Sequence, residues 1–135
     1  MSTLPSTLPD ITVPALAYLG DSVLEMLVRT YLVRERHLST SAHLNRAALD
    51  FVRASAQSEA MGRIEPLLSE DEANVYRRGR NIGHTNVPKS ASVAEYRRAT
   101  GMEVLFGHLS LLGETDRMEH LFRVGYDLPE PQPNT

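Results

Sequence analysis

A chain of 135 residues has the size of one domain and can bury a core without staples. It has no cysteine, which excludes disulfides and thiolate metal sites, and neither a secretory leader nor a membrane-length apolar run, so the expected location is cytoplasmic. The formal net charge of −3 argues against a surface that binds polyanions everywhere. Its distribution is uneven: from Arg77 to Arg98 six bases (Arg77, Arg78, Arg80, Lys89, Arg97, Arg98) stand against Glu95 alone, while the remainder carries sixteen acids and eight bases. A basic island on an acidic body points to a local anion site.

Residues 1–11 hold the repeat Ser2-Thr3-Leu4-Pro5, Ser6-Thr7-Leu8-Pro9 and read as a flexible leader. A first helix is predicted from Thr12–Pro14, a hydroxyl cap followed by an early proline, to about Arg36. Its apolar residues Leu16, Leu19, Val23, Met26, Leu27 and Tyr31 fall on one side, and this helix is expected to organise the rest of the chain. A short second helix, capped by Ser39 or Thr40, passes through Asn45–Ala48, and a third runs from about Asp50 to Gly62. Ser69 and Glu72 have capping-box spacing and open a fourth, which ends in Arg77-Arg78-Gly79-Arg80-Asn81, with Gly79 or Gly83 as the left-handed stop. A loop is expected over Gly83–Ser90. Ser92 and Glu95 then repeat the capping box for a fifth helix to Leu112, and a sixth runs to about Tyr126. The expected domain spans 12–128, followed by a proline-broken flexible tail over 129–135. No segment alternates as a strand would, so the fold class is all-α.

Two acids need explaining. Asp21 lies opposite the predicted stripe, yet Ala17, Leu24 and Val28 share its face, so the first helix is apolar almost all round. Such a helix is central or sits at a subunit contact. A carboxylate there requires a cation, donors or a proton. On the fifth helix Glu103 is flanked on its own face by Tyr96, Ala99, Gly107 and Ser110, residues small enough in part to admit another helix or a ligand. Hard oxygen ligands without cysteine or a histidine pattern point to Mg²⁺ or Mn²⁺ in preference to Zn²⁺. A cap or a buried ion pair is the competing account of Asp21. Glu25 reads as a surface acid paired with Arg29.

Leu16-Ala17-Tyr18-Leu19-Gly20-Asp21-Ser22-Val23-Leu24-Glu25 resembles the signature helix of the ribonuclease III family. Gly101-Met102-Glu103-Val104-Leu105-Phe106-Gly107 resembles the family's second catalytic helix. Arg77-Arg78-Gly79-Arg80-Asn81, Pro88-Lys89 and Tyr96-Arg97 are similar to the short bacterial branch, Mini-ribonuclease III, which lacks a double-stranded-RNA-binding domain. Ala17 and Thr100 stand where longer members carry further acids, and the short branch is similar to this chain at both.

The resemblance implies a ribonuclease III-like helical bundle forming a two-fold homodimer, and a Mg²⁺-dependent endoribonuclease, Mn²⁺ being a substitute. It implies hydrolysis of double-stranded RNA to 5′-phosphate ends, in maturation of precursor large-subunit (23S) ribosomal RNA, with a ribosomal protein as a possible partner. Asp21 and Glu103 would be the catalytic and metal-holding residues. Arg77, Arg78, Arg80, Asn81, Lys89 and Arg97 would contact RNA. The alternative is a non-catalytic RNA- or ribosome-binding module on the same scaffold.

Overall fold

The computed structural model describes residues 11–82 and 92–131. The leader over 1–10 and the loop Gly83–Ser90, with Lys89, lie outside the described residues. Six α-helices occupy the rest: α1 Val13–Arg34, α2 Ser41–Val52, α3 Ala54–Ile64, α4 Glu70–Arg80, α5 Val93–Leu111 and α6 Thr115–Gly125. A 3₁₀ turn, Glu65–Leu67, joins α3 to α4, and no strand occurs among the described residues. The all-α expectation holds.

The helix starts follow from their caps. Thr12 Oγ1 accepts the Ala15 N–H at 3.2 Å, and Thr40 Oγ1 accepts that of His43 at 3.2 Å. Ser69 and Glu72 close a full capping box on α4, and Ser92 and Glu95 close another on α5. Each box satisfies two backbone donors that would otherwise face away from any partner.

The organising element is α5, not α1. Nine of its residues are buried (Ala99, Gly101, Met102, Val104–Leu109), because α1, α3 and α4 all pack around it. The core joins Leu24, Val28 and Leu32 of α1 to Met102, Leu105, Phe106 and Leu109, and to Met61, Ile64, Tyr76, Leu121 and Phe122. Each such side chain contributes about 1.5–3 kcal/mol by leaving water.

On α1 the buried ridge is Leu16, Gly20, Leu24, Val28, Leu32, at i+4 spacing, and not the expected stripe. Of that stripe only Leu16 is buried, and Met26 is 68 % exposed. The core ridge is the one that contains Gly20, where α5 comes closest. Two other expectations also change. Phe51 and Val52 belong to α2, because the chain breaks at Arg53, whose extended backbone (φ −61°, ψ 146°) ends α2 and opens α3. Gly79 is not a left-handed stop. It lies buried within α4, and a Cβ there would sit 2.7 Å from Val104 Cγ2 and 3.0 Å from Gly101 Cα.

Candidate active site

Helix α1 crosses α5 at two glycines. A Cβ added at Gly20 would fall 1.6 Å from the Glu103 carbonyl oxygen, and one at Gly107 would fall 2.2 Å from the Leu16 carbonyl oxygen. Backbone therefore meets backbone, a distance no other residue permits. Asp21 follows Gly20 directly, and Glu103 lies one turn before Gly107. The crossing brings the two carboxyl groups within hydrogen-bonding reach of each other.

Asp21 is exposed and Glu103 is half-buried. Burial pushes the Glu103 carboxyl up to about 8, and the charge and hydrogen bonding of Asp21 push it the same way. No arginine or lysine among the described residues forms an ion pair with either acid. The ion-pair account of Asp21 therefore finds no support, and the Thr12 hydroxyl caps α1 instead. Nor does any third histidine or acid among the described residues complete a metal-binding cluster. Two carboxyl groups pressed together with no cationic side chain paired to them among the described residues fit a hard divalent cation, which would draw further ligands from water or substrate oxygen.

Around this pair the other predicted residues take different positions. Glu25 pairs with Arg29 at 2.9 Å on the surface, as expected. Thr100, one turn before Glu103, donates its hydroxyl to the Tyr96 carbonyl at 3.0 Å and so serves its own helix. Arg77 and Arg78 are exposed on α4, and Arg77 bonds Asn74. Arg80 lies over the Tyr76 ring, 5.7 Å from its centroid, and its Nε donates to Asn81 Oδ1 at 3.3 Å. Arg97 is exposed on the first turns of α5, whereas Arg98 donates to Ser58 on α3 at 3.3 Å.

The residue-by-residue reading missed the part played by Gly20. The available signal was its cost: a mid-helix glycine gives up about 1 kcal/mol relative to alanine and calls for a compensating close approach. Gly107 carries the same signal, beside Glu103 on a face of small residues.

The ribonuclease III domain profile matches residues 14–114. A Mini-ribonuclease 3 from Symbiobacterium thermophilum is 40 % identical over 126 residues, covering 93 % of this chain and 94 % of that protein. One from Desulfitobacterium hafniense is 42 % identical over 117 residues, covering 85 % and 72 %. The chain belongs to the Mini-ribonuclease III branch of the ribonuclease III family.

A crystal structure of a Fusobacterium nucleatum protein superimposes with a TM-score of 0.77 at 28 % identity, covering 85 % of this chain and 91 % of that one. As a ribonuclease III family member the chain is an endoribonuclease, a hydrolase of a family that acts on double-stranded RNA and depends on divalent metal. No helix among the described residues is long and apolar enough to cross a membrane.

Proposed function

We propose that this chain hydrolyses phosphodiester bonds of double-stranded RNA with Mg²⁺ held by Asp21 and Glu103, Mn²⁺ being able to substitute. The observation that carries this reading is the apposition of the two carboxyl groups at the Gly20–Gly107 crossing, with Glu103 pushed up to about 8. A divalent cation, when bound, supplies Lewis acidity to a water nucleophile and to the scissile phosphate. The chain's own part is to hold two oxygens fixed, on rigid helices, where that charge is needed. Arg77, Arg78, Arg80, Asn81, Lys89 and Arg97 supply backbone contacts, and the A-form shape of the duplex supplies discrimination. The catalytic domain is taken as 12–128.

Cutting both strands of a duplex calls for two sites related by a two-fold axis, and so for a homodimer. Exposed apolar side chains on α1 support this: Tyr18 is 84 % exposed, Met26 68 % and Val33 58 %. The biological substrate proposed is the paired stalk of precursor 23S ribosomal RNA, presented with a ribosomal protein in the cytoplasm.

The test is cleavage of duplex RNA by the parent, Asp21→Asn and Glu103→Gln in Mg²⁺ and in EDTA. Asp21→Asn is expected to lower the rate by at least roughly 1,000-fold with fold and RNA affinity retained. Undiminished cleavage by that variant, or parental cleavage in EDTA, overturns the reading. Binding without any metal-dependent product supports the non-catalytic module.

A further inference from the structure

The Arg80 guanidinium rests on an aromatic ring. Arg29, Arg117 and Arg123 are each fixed by a carboxylate, and their charge is spent on it. Arg80 is half-buried and has no carboxylate partner among the described residues; it lies over the face of Tyr76, one turn earlier on α4. Tyr76 itself is 1 % exposed. Its ring is seated on Gly101 of α5, where a Cβ would come within 2.6 Å of Cε1 and 2.7 Å of Cδ1. The Tyr76 hydroxyl is buried beside Arg80 with no hydrogen bond of ordinary geometry, and the guanidinium lies over the ring.

We propose that Tyr76 is a positioning residue for RNA binding, an aromatic platform that holds Arg80 in place while leaving its full charge and its outer N–H groups for a phosphate of the duplex. The inference rests on the reading of Arg80 as a phosphate contact and adds how that contact is prepared. A carboxylate would hold the guanidinium equally well but would cancel the charge the phosphate needs. The ring quadrupole holds a cation without neutralising it, and a side chain already held loses less freedom on binding. Gly101 belongs to the arrangement because any larger residue would push the ring off its seat.

The test measures duplex-RNA affinity in the full chain carrying Asp21→Asn, so that binding is read without cleavage, together with melting temperature. Tyr76→Phe keeps the ring and is expected to bind within about 2-fold of the parent. Tyr76→Leu removes the face and is expected to weaken binding about 5-fold. Arg80→Ala is expected to weaken binding at least as much, and Tyr76→Leu added to Arg80→Ala should cause no further loss. Arg80→Lys keeps the charge with a poorer stack and should behave like Tyr76→Leu, which keeps the test open if the leucine variant does not fold.

Equal losses from Tyr76→Phe and Tyr76→Leu would overturn the proposal, since the hydroxyl would then be the active part. Additive losses from Tyr76→Leu and Arg80→Ala would overturn it while leaving the phosphate contact intact. An Arg80→Ala variant that binds as the parent does would overturn the contact itself, and the platform with it.

Discussion

Glu103 stands half-buried beside a second carboxyl group, so its protonation state reports on whatever else enters the site. Its folded value is about 8 against 4.5 for a free glutamate, so without metal the folded protein binds the proton more tightly than the unfolded chain. The site then costs nothing below about pH 4.5, and stability falls as pH rises from there through about 8. Glu103→Gln cannot ionise and should lack that slope. In EDTA it is expected to melt about 4 °C above the parent at pH near 9 and level with it near pH 5. Thermal melts at the two pH values check this, and a parent no less stable at the higher pH would count against it. Added Mg²⁺ should stabilise the parent more than the variant, because a cation offsets the repulsion that only the parent carries.

At the scale of elements, α5 is gripped from two sides by glycines. Gly107 and Gly20 set the α1 crossing, and Gly101 and Gly79 set the α4 crossing. Alanine at Gly20 places a methyl group 1.6 Å from a carbonyl oxygen, and no rotamer relieves it. Gly20→Ala should cost about 3 kcal/mol and separate the carboxyl groups, so its folded fraction should cleave far more slowly than its stability loss explains. Urea melts with parallel cleavage assays on the soluble fraction test this.

Arg123 does a different job, tying elements together through charge. It is 4 % exposed, pairs with Glu35 just past α1 and with Glu119 on α6, and donates to the Pro129 carbonyl at 2.6 Å. The Arg123 side chain holds the Glu35 carboxyl below its ordinary value, so that pair stabilises above about pH 4.5 and fades as acid protonates Glu35. Arg123→Met should cost about 2 kcal/mol at neutral pH and less in acid. The figure is lower than for a fully buried pair because Glu35 and Glu119 are partly exposed.

Over the whole molecule two surfaces remain to be matched with partners: the outer apolar ridge of α1 formed by Tyr18, Met26 and Val33, and the basic end of α4. If the ridge forms a two-fold contact, Tyr18→Asp should weaken dimerisation by roughly 30-fold or more, since an exposed aromatic anchor is replaced by a charge. Sedimentation at several concentrations reads this directly. Cleavage should fall with the dimer fraction while the monomer's helical content is unchanged. An unaltered dimer would move the contact off this ridge.

Composition, caps and spacing were enough to determine an all-helical chain, four of its helix starts, and two acids placed on apolar or small faces. They also held the motifs that the family comparison bears out. Which face of α1 is buried was not legible, because a helix apolar nearly all round offers periodicity no way to rank its faces. The break at Arg53 was equally hidden, since no glycine or proline marks it. Nor could sequence tell a stopping glycine from a packing one: Gly79 and Gly20 take their meaning from the atoms that approach them. The meeting of Asp21 with Glu103 was implied by the family resemblance and by no spacing or periodicity; how it is achieved was decided by tertiary structure. Residues so distant along the chain come together only when two backbones close to a separation that side chains forbid.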